Sequence, residues 1–134
     1  EDSVEDIFPE FFRLIRSGHG SEAFIKYVDI EDFMILMRFN FNPSIKDDKA
    51  KQQEVFLKFW TKNSRKINEL FLKEMKKITQ ITEVKIKDRK KDIYTVLITS
   101  NYINGDKKKE EVQIKKTKDG YRIILSTLKE ISDD

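Results

Sequence analysis

Catalysis and metal binding draw on a short list of side chains, and this sequence holds few of them. It has one His and no Cys. Without a thiol there is no disulfide scaffold, no zinc-thiolate site and no cysteine nucleophile. The single His, His19, stands between Gly18 and Gly20. A Gly-flanked imidazole reads as a solvated turn residue, because nothing nearby fixes its tautomer or lowers its dielectric. A Ser-His-Asp or Cys-His nucleophile is therefore not supported. No Gly-rich phosphate loop and no metal-spaced cluster occurs. The adjacent pairs Asp47-Asp48 and Asp133-Asp134 lack the calcium-loop pattern. No catalytic residue, metal ligand or cofactor is expected.

A carboxylate could still act as a base, given a pKa near working pH and reach to a carbon acid. Asp32, on a largely apolar segment, is the least implausible choice. It also fits a first helical turn, where the helix dipole favours acids, and that reading is preferred. Trp60, Tyr94 and Tyr102 each pair an apolar body with a polar tip, which suits a pocket wall. Ser100 and Tyr102 fall on one face of a strand otherwise built from apolar residues. Trp60, Tyr94, Ser100 and Tyr102 are thus the candidate ligand-pocket residues. The competing reading packs the aromatics into the core between helices and sheet.

The rest of the composition says what frame holds these residues. At 134 residues the chain is read as one domain, 1–134, long enough to bury a core. Charged residues reach 38 %, but ten Phe, four Tyr and one Trp supply apolar area that a disordered chain would lack. No apolar run approaches the roughly 18 residues needed to span a bilayer. Residues 1–45 hold nine acids and four bases, net −5, and residues 46–134 hold fifteen acids and twenty-three bases, net +8. A basic half can attract nucleic acid, anionic lipid or an acidic partner. The bases are mostly Lys interleaved with acids, so a solvated surface is the favoured reading and no specific nucleic-acid partner is expected. The runs Arg89-Lys90-Lys91 and Lys107-Lys108-Lys109 fall at expected hairpin tips. They lack the interleaved exposed aromatics of a single-strand binder, and Lys near strand edges also blocks edge pairing.

Helical spacing dominates up to residue 79. Ser3-Val4-Glu5-Asp6 resembles a capping box, and Val4, Ile7, Phe8, Phe11, Phe12, Leu14 and Ile15 follow at helical intervals. Pro9 suits a first turn, which places the regular helix start near Asp6. Gly18 and Gly20 end it. Ser21 caps a short helix through Val28, and Asp29 caps another, followed to about Arg38. Phe33, Ile35, Met37, Phe39 and Phe41 also alternate as a strand would. Residues 40–48, around Pro43, read as a loop. The longest helix covers 48–79, with a bend at Asn63-Ser64.

The period then becomes two. Strands are expected at 81–87, with Val84 and Ile86 inward, at 93–102, at 110–117, with Val112 and Ile114 inward, and at 121–128. The 93–102 strand is rich in β-branched residues and apolar on both faces, as a central strand is. Residues 89–92 make a polar turn, Asn104-Gly105 a hairpin and Lys118-Asp119-Gly120 a second tight turn. Residues 131–134 trail off. The fold class is α+β, with N-terminal helices on a C-terminal antiparallel sheet.

Three stretches of this layout resemble the NTF2-like superfamily, a cystatin-like α+β cone, and within it small bacterial domains that are often exported lipoproteins. Phe11-Phe12-Arg13-Leu14-Ile15-Arg16-Ser17-Gly18 is similar to their opening helix. Residues 96–106 are similar to their central strand and Asn-Gly hairpin. Residues 117–125 are similar to their final Lys-Asp-Gly hairpin, whose usual Trp is here Tyr121. The resemblance implies a strongly bent sheet wrapped around the helices, with a pocket at the wide end. It implies a non-enzymatic, exported or surface-anchored domain that binds a small apolar ligand or a protein partner. Export also fits a chain beginning Glu1-Asp2-Ser3 without an initiator Met. The resemblance leaves open an isomerase or dehydratase of ketosteroid-isomerase type, an intracellular immunity-type inhibitor, and a homodimer formed through the sheet.

Overall fold

Apolar residues at 4, 7, 8, 11, 12 and 15 make one stripe of helix α1 (Val4–Arg16), and all six are buried. The computed structural model describes residues 3–131. Glu1-Asp2 and the Asp133-Asp134 pair lie outside the described residues. α1 starts at Val4, ahead of the expected start at Asp6. Ser3 supplies the cap: its carbonyl accepts the Asp6 N–H at 3.0 Å and its hydroxyl donates to the Asp6 carboxylate at 2.9 Å. Pro9 sits inside the helix without ending it.

Gly18 ends α1 in the left-handed conformation, φ +84°, but Gly20 does not. It opens helix α2 (Gly20–Tyr27), with His19 and not Ser21 at the N-cap. Gly20 also meets a tertiary constraint. A β-carbon on Gly20 would come within 2.9 Å of the Trp60 ring, so this turn passes flush against the long helix. Helix α3 (Ile30–Leu36) is capped by Asp29, whose side chain accepts the Asp32 N–H at 3.1 Å. It stops short of Arg38, which turns the chain with φ +63°. Loop 40–48 contains a 3-10 turn, Pro43–Ile45.

Helix α4 (Lys49–Ile67) is capped by Asp48 and bends at Asn63, φ −118°, where the Asn63 amide donates to the Phe59 carbonyl at 3.0 Å. A π-helical turn, Asn68–Leu72, and a last α-turn, Lys73–Met75, complete it. The expected helix to 79 is therefore too long by one turn. Residues 78 and 79 already belong to the sheet.

Strands β1 (Ile78–Lys90), β2 (Ile93–Tyr102), β3 (Lys107–Thr117) and β4 (Gly120–Ile131) form an antiparallel meander in the order β1-β2-β3-β4. β2 has the bounds read from the sequence and is an inner strand. β1 is longer than 81–87 at both ends, and the turn at 89–92 shrinks to Lys91-Asp92, with Lys91 at φ +54°. β4 likewise runs past 121–128, so Ile131 ends a strand and does not trail. Register breaks in β1 and β4 mark bulges that bend both edge strands. Ile86 is a further correction. It lies opposite Val96, yet Val96 is fully buried and Ile86 is 40 % exposed, because the helices cover β2 but not this part of β1.

The helices cover one face of the sheet. Val96, Ile98, Val112, Ile114 and Ile123 bury against Phe11, Phe24, Phe33 and Phe56 in one core. The ring of Phe24 is its hub, with centroids of Phe33, Trp60, Phe11 and Phe56 at 4.8, 5.1, 5.4 and 6.3 Å. The other face is laced by Glu111, which takes Lys87 at 2.8 Å and Lys129 at 3.4 Å across the strands.

Candidate functional site

The four residues singled out from the sequence do not converge. Trp60 belongs to the aromatic core, against Phe24 and Phe56. Tyr94 and Tyr102 sit at opposite ends of β2, about 26 Å apart at ~3.3 Å per strand residue. Tyr94 is buried at one end, edge-on to Tyr121 and under the Arg89 guanidinium. Ser100 is 1 % exposed and its hydroxyl has no hydrogen-bond partner among the described residues. None of the four lines any of the three hollows described below.

Ser100 and Tyr102 do share the inward face, and the structure adds a residue the sequence reading passed over. The Tyr102 hydroxyl donates to the Glu110 carboxylate at 3.2 Å, and the Lys108 ammonium lies 4.7 Å from the Tyr102 ring centroid. Glu110 had a signal in the sequence: it is in phase with Val112 and Ile114, which face inward. Burial pushes the Glu110 carboxyl above its ordinary range, and Glu130, directly across on β4, adds to this. Burial, with the Glu110 charge second, pushes the Tyr102 phenol up as well, so it remains a donor.

This pair has a consequence for stability. A carboxyl raised in the folded state binds its proton more tightly there than in the unfolded chain. Stability conferred by that proton is present at low pH and is lost as pH rises from the ordinary carboxylate range through the raised value. Urea titrations across this window should show the fall for the wild type, and Glu110→Gln should flatten it. An unchanged slope in the variant would remove Glu110 as the cause.

The main concavities lie at the far end of the sheet. Two hollows, about 410 and about 570 Å³, straddle the tip of the β3–β4 hairpin and share Thr117, Lys118 and Arg122 as walls. A third, about 330 Å³, continues the first past Glu31, Lys46 and Gln52 to an apolar wall of Ile35, Phe41 and Pro43.

Local chemistry shapes the tip. Gly120 takes φ +115°, which the two-residue turn Lys118-Asp119 requires. The Thr117 hydroxyl bridges the turn, donating to the Gly120 carbonyl at 2.7 Å and accepting the Asp119 N–H at 3.2 Å. Tertiary contacts then fix it in place. Asp119 pairs with Lys49 at the start of α4, and Lys115 pairs with Asp29 at 3.0 Å. Val28 bridges Ile123, and the Asp29 N–H donates to the Ile123 carbonyl at 2.9 Å.

Arg122 is the central cation of this groove. It is half-buried, and among the described residues its guanidinium donates only to backbone carbonyls, Tyr121 at 2.8 Å and Asp119 at 3.4 Å. Burial lowers its pKa, which Asp29 and Tyr27 partly offset, and the group remains a cation. Among the described residues, no carboxylate lies within ion-pairing distance of Lys46 or Lys118. A desolvated guanidinium beside unpaired ammonium groups can bind an anion on the side of the hollow away from Asp29, Glu31 and Asp47, which also line it. Among the described residues no cluster of His, Asp and Glu is arranged to hold a metal ion, and no helix is long and apolar enough to cross a membrane.

No protein-family model matches the chain, and neither a curated protein nor a solved structure gives a match.

Proposed function

We propose that this chain is a non-enzymatic binding domain of NTF2-like type, in an exported or surface-anchored bacterial protein, that grips an acidic segment of a protein partner at the β3–β4 tip. The observation that carries the binding site is the meeting of two hollows at Lys118 and half-buried Arg122. The interior supports an external site, because Phe11, Phe24, Phe33 and Phe56 fill the space between helices and sheet. The apolar wall of Ile35, Phe41 and Pro43 suits a hydrophobic residue of the same segment, next to its acids. The NTF2-like and export parts of the reading rest on the three resembling stretches, supported by the order of helices before a four-stranded meander.

The test is a titration of the labelled protein with a short Glu-rich peptide carrying one Leu, followed by amide chemical shifts. Saturable shifts should map to 115–122 and 29–49 and weaken with added salt. Arg122→Ala should weaken binding by roughly tenfold to a hundredfold, the loss of charge-assisted bonds worth ~1.5–3 kcal/mol. Equal affinity in Arg122→Ala, or shifts confined to another face, would refute the site.

A further inference from the structure

At the opposite end of the sheet the chain sets one apolar side chain among bases. The β2–β3 turn is tightly determined. Gly105 takes φ +91°, and the Tyr102 N–H donates to the Asp106 carbonyl at 2.8 Å. The Gly105 N–H donates to the Tyr102 carbonyl at 2.9 Å. Asn104 clasps Asp106 twice, accepting its N–H and donating to its carboxylate, both at 3.0 Å. The side chain that this turn leaves in solvent is Ile103, 74 % exposed, more than any other large hydrophobic among the described residues.

Ile103 is also tied to the helical layer. Its N–H donates to the Lys77 carbonyl at 2.8 Å, so the hairpin tip rests on the end of the long helix. Lys76 and Lys77 therefore lie next to the tip in the fold, and Lys107, Lys108 and Lys109 follow it directly in the chain. Residues 73–77 carry three Lys and one Glu, and residues 103–109 carry three Lys and one Asp, a net +4. Glu74 pairs with Lys77 at 2.8 Å and Asp106 bonds to Asn104, while Lys73 pairs with Glu69 at 3.7 Å just outside the cluster.

We propose that this tip is a peripheral membrane-docking surface that seats on an anionic phospholipid bilayer. Ile103 enters the boundary between headgroups and acyl chains, and the surrounding Lys side chains meet lipid phosphates. A lone exposed hydrophobic residue is ordinary on a soluble protein. An isoleucine held at the apex of a rigid turn, with Lys-rich segments on both chain sides of that tip, has the composition of an interfacial anchor. Lys suits this role because its long apolar stem lies along the interface while its ammonium reaches the headgroups. Nucleic acid is the weaker fit, since its phosphates gain nothing from Ile103, and the one ring beside the tip among the described residues, the partly exposed Tyr102, already has the Lys108 ammonium over its face at 4.7 Å. The groove around Arg122 lies at the other end of β2–β3, so the two readings stand or fall separately.

The experiment is co-sedimentation of the protein with vesicles of phosphatidylcholine and phosphatidylglycerol, against vesicles of phosphatidylcholine alone. Binding is expected only to the anionic vesicles, with release at high salt. Ile103→Ser should weaken it about fivefold, and Lys76→Glu with Lys77→Glu by about tenfold or more. Lys90→Glu with Lys91→Glu makes the same charge change at the opposite end and should alter binding much less. All are exposed positions, and thermal melts verify that the variants fold. Three results would each overturn the proposal: no sedimentation with anionic vesicles, equal binding by Ile103→Ser, or equal loss in the Lys90/Lys91 control. Retention of a DNA or RNA duplex through Lys76 and Lys77, without vesicle binding, would replace the lipid surface with nucleic acid.

Discussion

Phe24→Ala should destabilise the fold by about 3–5 kcal/mol, the cost of emptying a large aromatic site in a core that cannot close over it. Phe24 has no exposed surface and meets four other aromatic rings, from α1, α3 and α4. Those rings belong to three separate helices, so none can move into the space without giving up its own contacts. An aromatic pair adds ~0.5–1.5 kcal/mol beyond the area it buries, which places this site at the upper end of the range. The check is urea unfolding followed by tryptophan fluorescence, since Trp60 lies against Phe24. Phe24→Leu restores part of the volume and should recover more than half of the loss. A cost under ~1 kcal/mol for Phe24→Ala would mean that the helices are far less tightly packed than described.

Asp32→Ala should cost about 2 kcal/mol, in the range for hydrogen bonds to a charged group. Both carboxylate oxygens are engaged by one residue of β4. Oδ2 accepts the Ser126 N–H at 3.1 Å, and Oδ1 accepts the Ser126 hydroxyl at 2.5 Å. Ser126 sits in a bulge: Glu111 pairs with Lys129 and Gln113 with Ile124, so residues 125–128 face the single residue Val112. The bulge frees backbone groups that the ladder would otherwise satisfy. Thr127 takes up part of the deficit, its hydroxyl accepting the Gln113 N–H at 2.9 Å and donating to the Ile124 carbonyl at 2.6 Å. Asp32 takes up more. Hydrogen exchange at the Ser126 amide should speed up in Asp32→Ala, while the exchange of β2 amides stays unchanged. Asp32→Asn keeps one acceptor oxygen and should retain part of the protection. If Asp32→Ala leaves both stability and Ser126 exchange unaltered, the clasp contributes nothing. As the one carboxylate weighed for proton abstraction, Asp32 instead has both oxygens committed to holding a strand in shape.

What the sequence determined by itself was local. The change of period from helical to alternating near residue 80, the cap at Asp29, the start of the long helix near residue 48, the bend at Asn63 and the bounds of β2 all depend on neighbours within a few residues. So do the turns at Asn104-Gly105 and Lys118-Asp119-Gly120, where only Gly takes the required φ cheaply. The tertiary structure decided the rest. Helix α2 starts at Gly20, where Trp60, distant in the chain, leaves no room for a β-carbon. β1 outgrows its alternating core because β2 offers hydrogen bonds along its whole length, and Ile86 is exposed because the helices stop short of it. The chemistry of Trp60, Tyr94, Ser100 and Tyr102 suits one pocket wall, but side-chain chemistry carries no information on distance. The groove at Arg122 needs α2, α3, α4 and the β3–β4 hairpin to meet, through Lys115–Asp29, Lys49–Asp119 and the Val28–Ile123 bridge. Periodicity tells which side of an element is apolar, but the burial of a charge depends on which other elements close over it, and that is a property of the assembled chain.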